Sequence, residues 1–447
     1  MVSANTATSP YPLYPLGCSM VSAAIAGAGH DVMQFDYLVS EQSLDSFADT
    51  VREFAPDVIG ISMRNIDNVN AMNAVHYAHD VRDLVAKARE ASRAIVVLGG
   101  AGFSLMPEEV MDFTGADYGI AGEGEARMVK FLSDLQSGKR PATRVIEREM
   151  RLANDEIPSA LYDPRLMDFY LKKGNIISVQ TKRGCTHHCV YCTYPALEGS
   201  SIRQRTASSV VDDIELLRDK HGAKYVFFID SVFNDTEGVY MELLHEMERR
   251  GVSVPWTGFF RPSGLDEPTV ELMKRTGLVA AEVGADAASD ATLKKMGKSF
   301  TFDDVRRCNE LLHSHGVSCA NFYIFGGPGE TKETVREGIA NILSVPNAVH
   351  FMFLGIRILP DTALHRIAIR EGIVREGEKL LDSVFYFSPE VEREWMEREL
   401  TEAFAGKRNC IFPPDSSDDK LRILHQLGYA GPMWEMLLAA KKKRGKA

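Results

Sequence analysis

The sequence predicts an α/β protein. It reads as a flavodoxin-like doubly wound domain (1–137), a linker (138–172), a partial barrel of six strand–helix units (173–360) and a helical C-terminal region (361–447). Two observations carry this: short apolar runs alternate with helix-length amphipathic stretches twice along the chain, and a charged segment with Pro141, Pro158 and Pro164 separates the two series. A length of 447 residues, against roughly 150 per domain, asks for more than one domain.

In the first series the strands are 2–4, 31–35, 57–62, 94–98 and 117–120. Helices fall near 16–28, 42–54, 70–91, 106–114 and 125–136. Strands interleaved with helices imply a parallel sheet covered on both faces, with ligands at the carboxyl ends of the strands. Three loops stand at those ends: Ser62 to Asn68, Gly99-Gly100-Ala101-Gly102, and Gly122-Glu123-Gly124-Glu125. Glycines let backbone approach a ligand closely. The second loop is not a dinucleotide fingerprint, because position 105 is Leu. In the second series the strands are 176–181, 224–229, 253–258, 279–284, 318–325 and 350–356, with helices near 207–220, 237–250, 267–276, 302–315 and 332–343. Six such units fit a partial barrel better than a second open sheet, and barrel sites lie at the carboxyl ends of strands. After Asp361 the pattern is helices and loops, with Trp395 and Trp434 read as core.

Composition narrows the function. Hydrophobic residues make up 45% and charged residues 25%, which excludes a disordered chain. A net charge of -11 disfavours a nucleic-acid surface, which needs a basic field. The terminal KKKRGKA reads as a solvated end. No run of about 18 apolar residues appears, and the N-terminus lacks a basic n-region and an apolar h-region, so a cytoplasmic protein without a membrane span is expected. Seven cysteines, an odd number, point to reduced thiols. Met296-Gly297-Lys298-Ser299 ends like a P-loop, but position 292 is Thr where a leading glycine belongs.

Three of the cysteines lie within eight residues: Cys185-Thr-His-His-Cys189-Val-Tyr-Cys192. Structural zinc wants four closed ligands, and no second cysteine pair exists. His187 and His188 sit too near their neighbours to complete a tetrahedron. Three thiolates suit a cubane iron–sulfur cluster with one iron open. The loop follows the first strand of the second series, so it stands at the barrel mouth.

Cys185-x3-Cys189-x-Tyr191-Cys192 resembles the signature of the radical S-adenosylmethionine superfamily. The resemblance implies a 4Fe–4S cluster on the three thiolates, with the open iron taking the amino and carboxylate groups of S-adenosylmethionine. The first domain resembles the cobalamin-binding domain fused in front of many such enzymes. The matching stretches are Tyr14-Pro15-Leu16-Gly17, Gly27 to Val32, Gly60 to Asn65, Gly99 to Gly102 and Gly122 to Glu125. The resemblance implies that Tyr14, Leu16, Gly17, Ser62, Arg64, Asn65, Gly99, Gly100, Ala101, Gly102, Gly122 and Glu123 face cobalamin. The base-off pattern D-x-H-x2-G is absent, since Ala28 stands where its Asp belongs before His30, so no histidine is assigned as lower ligand. Tyr191, Asp230, Ser231, Arg261, Glu282, Gly326, Gly327 and Arg357 match positions that face S-adenosylmethionine. Plainer readings stand beside three of these: a helix cap for Asp230, a buried salt bridge for Glu282, and strand-to-helix geometry for the Gly326–Gly329 turn.

The resemblance implies an oxygen-sensitive enzyme that methylates an unactivated carbon of its substrate, by way of a 5′-deoxyadenosyl radical and methylcobalamin. One S-adenosylmethionine would recharge cobalamin and a second would generate the radical. It also implies an electron donor such as flavodoxin or ferredoxin, and a small-molecule, lipid or peptide substrate. A cyclase or rearrangement enzyme with the same cofactors is the alternative, separated by product mass. A methylthiotransferase needs three further cysteines in the first domain, where only Cys18 occurs. A cobalamin sensor or an electron carrier would be the non-enzymatic reading; a carrier needs no S-adenosylmethionine site, so the matches at Tyr191, Gly327 and Arg357 argue against it.

Overall fold

The computed structural model describes residues 1–9, 11–147 and 151–438. The basic KKKRGKA end lies outside them.

The first domain is a parallel sheet of β1 (Val2–Ser3), β2 (Phe35–Asp36), β3 (Val58–Ser62), β4 (Ile95–Gly99), β5 (Tyr118–Ile120) and β6 (Val145–Ile146), in the order β2-β1-β3-β4-β5-β6. Around it pack α1 (Leu16–Gly27), α2 (Leu44–Phe54), α3 (Ala78–Ala91), α4 (Ala101–Leu105), α5 (Pro107–Thr114) and α6 (Glu125–Gln136). β3 and β4 read VIGIS and IVVLG, and their middle three residues are buried, as strands covered on both faces require. Two expectations change here. The segment read as a linker contributes β6 and, after it, α7 (Pro164–Lys173). The helix expected from residue 70 begins at Ala78. Ahead of it Asp67, Asn68 and Asn70 accept backbone N–H groups of Val69, Asn70, Met72 and Val75, and these local bonds compete with the helix.

The second sheet holds β7 (Ile177–Val179) at its edge. A hairpin of β8 (Lys182–Arg183) and β9 (Arg203–Gln204) brackets the cysteine loop and α8 (Tyr194–Leu197). Then come α9 (Ala207–Glu215), β10 (Val226–Phe228), α10 (Tyr240–Arg250), β11 (Trp256–Phe260), α11 (Glu267–Thr276), β12 (Ala280–Asp286), α12 (Asp290–Lys295), α13 (Phe302–Ser314), β13 (Ser318–Phe325), α14 (Lys332–Leu343) and β14 (Ala348–Leu354). The helices start on side-chain caps, with Asp266, Ser289, Thr301 and Thr331 each accepting the N–H three residues on. Gly251 and Gly277 end α10 and α11 in the left-handed region.

The C-terminal region is more than helices. After β15 (Ile356–Arg357) and α15 (Ala363–Arg370), β16 (Phe385–Tyr386) pairs antiparallel with β15. After α16 (Arg393–Phe404), β17 (Cys410–Ile411) joins β14 as a seventh parallel strand. The sheet order is β17-β14-β13-β12-β11-β10-β7. Beyond α17 (Asp418–Gln426), Met433, Trp434 and Leu437 pack on Ala280, Ala320, Val349 and Phe351, the sheet face turned away from the helices. Small side chains on β12 and β13 leave the room that Trp434 fills. No helix among the described residues is long and apolar enough to cross a membrane.

Candidate active site

The cysteine loop leaves β8 through Gly184. This residue has φ +95°, and a Cβ there would lie 2.0 Å from the Ser201 carbonyl, so only glycine fits. Cys185 N–H donates to Gly199 O at 3.0 Å, and Val190 N–H to Met296 O at 3.1 Å. Ser231 donates to Gly184 O at 2.8 Å. Asp230 is fully buried and accepts N–H bonds from Thr181 and Lys182, at 2.8 and 3.2 Å. It also pairs with Lys182, whose ammonium lies between Asp230 (3.4 Å) and Asp235 (3.3 Å). Asp230 and Ser231 therefore brace the loop from behind.

The three thiols share one electrostatic neighbourhood: Cys189 and Cys192 both feel Cys185. Burial pushes Cys192 up to about 12 and raises Cys189, which the Lys298 ammonium pulls back. Among the described residues the three sulfurs are not all within 4.8 Å of one another. A single tetrahedral zinc, with Zn–S near 2.3 Å, needs sulfurs roughly 3.8 Å apart. A cubane places each thiolate on a different iron, so its three thiolates need not meet at one metal.

Lys298 is a residue that motif reading passed over. Its ammonium donates to Asp286 and, at 3.1 Å, to Tyr191 Oη, and it stands 5.4 Å from the Tyr191 ring centroid. The dismissed tetrapeptide Met296–Ser299 is thus the seat of the cysteine loop. Arg261 lies beside it, bonded to Ser299 at 3.1 Å and within the fields of Cys185 and Cys189.

A cavity of about 620 Å³ lies between the carboxyl edge of the first sheet and the barrel mouth. Of the residues expected to face cobalamin, Tyr14, Leu16, Gly17, Ser62, Arg64, Asn65, Gly99, Gly100, Ala101, Gly122 and Glu123 line it. Gly102 does not; a Cβ there would lie 2.8 Å from the Asn65 backbone, so its role is to let α4 meet the preceding loop. A Cβ on Gly17 would meet nothing within 4 Å, and one on Gly99 only the Ile120 carbonyl at 3.6 Å. Both positions keep the cavity floor flat, as a broad planar ligand requires. The Arg64 side chain opens into the cavity with no ion-pair or hydrogen-bond partner among the described residues, and enclosure lowers its pKa.

The barrel side of the cavity is held to the first domain by charge. Arg183 pairs with Glu125, and at 3.6 Å with Glu123; Arg203 also pairs with Glu123. All four are buried or nearly so. Arg183 sits two residues before Cys185, so the cysteine loop and the Gly122–Glu125 loop are fixed to each other. No motif announced this, although a basic pair at a strand end (Lys182-Arg183) was its visible signal.

The remaining expected positions divide: Gly326 and Gly327 stand beside the seat of the cysteine loop, whereas Arg357 and Glu282 are engaged in packing contacts. Arg357 is 4% exposed, with its guanidinium on Asp67 (2.7 Å), Ile358 O and Leu380 O, where it ties the two domains. Gly326 has φ +91° and donates to Glu330, and Gly327 packs against Met296 and Ile356. Glu282 is buried on the face of β12 turned away from the helices and, among the described residues, accepts only Trp434 Nε1, at 3.4 Å.

Comparison with known proteins agrees with this geometry. Residues 2–132 match the B12 binding domain, and residues 179–340 match the radical SAM superfamily. The chain is a cobalamin-dependent, methyltransferase-like radical S-adenosylmethionine enzyme. It is 25% identical over 435 residues to tryptophan 2-C-methyltransferase of Streptomyces laurentii, covering 79% of this chain and 72% of that protein. It is 22% identical over 334 residues to the anaerobic magnesium-protoporphyrin IX monomethyl ester cyclase of Rubrivivax gelatinosus, covering 70% and 58%. Its fold is that of the radical S-adenosylmethionine methyltransferase TsrM from Kitasatospora setae, solved with cobalamin and a [4Fe-4S] cluster. That likeness has a TM-score of 0.85 at 23% identity, over 98% of this chain and 96% of the other. For this radical S-adenosylmethionine enzyme, the thiol triangle and the flat-floored cavity are the features that fit its two resident cofactors.

Proposed function

We propose that this enzyme transfers a methyl group to a carbon of a small organic substrate. The observation that carries the reading is the single cavity walled by the glycine loops on one side and by Arg183, Thr193 and Tyr194 of the cysteine-loop segment on the other. When bound, the reduced cluster supplies one electron to the sulfonium of S-adenosylmethionine, and cobalamin carries the methyl group.

The chain's own residues bind, orient and exclude water. Cys185, Cys189 and Cys192 hold the cluster. Tyr191, Arg261, Gly326 and Gly327 face S-adenosylmethionine, and Lys298 fixes the Tyr191 ring. Asp230 and Ser231 position the cysteine loop, and Arg357 positions the domains. Tyr14, Leu16, Gly17, Ser62, Arg64, Asn65, Gly99, Gly100, Ala101, Gly122 and Glu123 form the cobalamin bed. Burial of the bed between two sheets keeps water from a reactive intermediate.

The test is anaerobic purification with iron, sulfide and hydroxocobalamin supplied, followed by metal counting. About four irons and one cobalt per chain are expected. Iron without cobalt would remove the methyl-donor reading. Replacing all three cysteines by Ala should abolish iron while leaving cobalt in place. The relation to a cyclase supports a second reading, ring formation without methyl transfer. Product mass separates the two, because methylation adds one CH2. Tryptophan, the substrate named for one relative, is the first compound to try.

A further inference from the structure

The floor of the barrel carries a set of polar groups for which the cofactor reading above has no role. Glu282 sits on β12 in register with Phe259 of β11, and register partners in a parallel pair share a face. Phe259 and Phe227 line the cavity, so Glu282 is on the cavity's face of the sheet, one strand further in. Tyr225 lies two residues before Phe227 and shares its face; it is 5% exposed, and its hydroxyl has no hydrogen-bond partner among the described residues. Glu435, from the segment that closes the barrel, has one carboxylate oxygen buried without a partner among the described residues. The three feel one another: Glu282 and Glu435 both raise Tyr225, and Glu435 raises Glu282.

A buried carboxyl (Glu282) beside a half-buried one (Glu435), with no basic partner, is costly unless a cation or a proton joins them. Among the described residues no lysine or arginine pairs with either. Burial lifts Glu282 to about 7. The charged side chains that act on the cluster thiols are different ones: Lys298 and Asp286 on Cys189, and Lys298 on Cys192.

We infer that Glu282, Glu435 and Tyr225 form the substrate's ammonium pocket, with the apolar body of an organic amine lying against Phe227 and Phe259. Two carboxylates accept from a primary amine, the tyrosine hydroxyl accepts a third N–H, and the aromatic walls take a ring or hydrocarbon chain. Trp434 Nε1 holds Glu282 in place from below. The inference rests on the methyl-transfer reading for what happens to the amine once bound, but not for its binding.

The experiment compares matched probes of opposite charge on the cofactor-loaded enzyme by calorimetry: tryptamine against indole-3-propionate, and phenethylamine against 3-phenylpropionate. Each amine should bind at least about tenfold more tightly than its acid partner. Glu282→Gln should lower amine affinity by about tenfold or more, with iron, cobalt and S-adenosylmethionine binding unchanged. Tyr225→Phe removes a single oxygen and should lower it about threefold to tenfold. Equal binding of amines and acids, binding of neither, or full amine affinity in both variants would overturn the inference. Loss of cobalt from the wild-type enzyme would instead overturn the methyl-transfer reading and leave the amine result standing on its own.

Discussion

Gly17 and Gly100 border the same cavity and serve it in opposite ways. Gly17 has an ordinary backbone and open space where a side chain would go. Gly17→Leu should leave thermal stability within about 0.5 kcal/mol of wild type while weakening hydroxocobalamin binding more than about tenfold by absorbance titration. Gly100 has φ +95°, with the Met63 carbonyl 2.5 Å from the site of a Cβ. Gly100→Ala should cost about 1–3 kcal/mol of folding stability, read by urea unfolding, because strain and collision fall together. Glu330 is a third case. Burial raises its carboxyl to about 7 although it accepts from Gly326 N–H and Thr334 Oγ1. Its folded pKa exceeds the unfolded one, so the stability it contributes is full below about pH 4.5 and is lost as pH rises through about 7. Glu330→Gln should flatten the stability profile over that window, removing a pH-dependent difference on the order of 3 kcal/mol.

The β8–β9 hairpin is the element on which both domains lean. Arg183 faces Glu123 and Glu125, and Arg203 faces Glu123, across the domain boundary. Arg183→Ala would strand buried carboxylates and should cost about 3–5 kcal/mol, measured by denaturant unfolding. The same elements show what a sequence discloses. β3 and β4 were legible because a short apolar run with three buried central residues is covered on both faces. Cys185, Cys189 and Cys192 were legible because their spacing alone carries chemistry. The start of α3 was hidden by asparagine side chains bonding locally. β6 and β17, two residues each, exist only because a neighbouring strand offers its edge. Lys298 and Arg183 were hidden for the same reason: each acquires its role from a partner that sequence places far away.

At the scale of the whole molecule, Asp67 and Arg357 are separated by 290 positions and bond at 2.7 Å, both nearly inaccessible. Ser383 adds a bond to the same carboxylate at 2.7 Å, and Glu109 accepts the N–H groups of Leu380 and Leu381. The first domain, the barrel and the C-terminal region thus meet at one point. Asp67→Asn leaves Arg357 with three carbonyls and should cost about 3–5 kcal/mol. Hydrogen exchange at residues 380–383 should accelerate before the rest of the chain unfolds, because that segment loses the carboxylate that anchors it.

The barrel floor is made of Met433, Trp434 and Leu437, which pack on β12, β13 and β14. Every barrel strand leaves the ribosome before that floor does. The floor therefore seals the end opposite the mouth with the last segment of the described chain, after every strand it packs on has been made. A chain ending after Ile411 would lack the side chains that cover Ala280, Ala320 and Val349, leaving the barrel a tube rather than a cup.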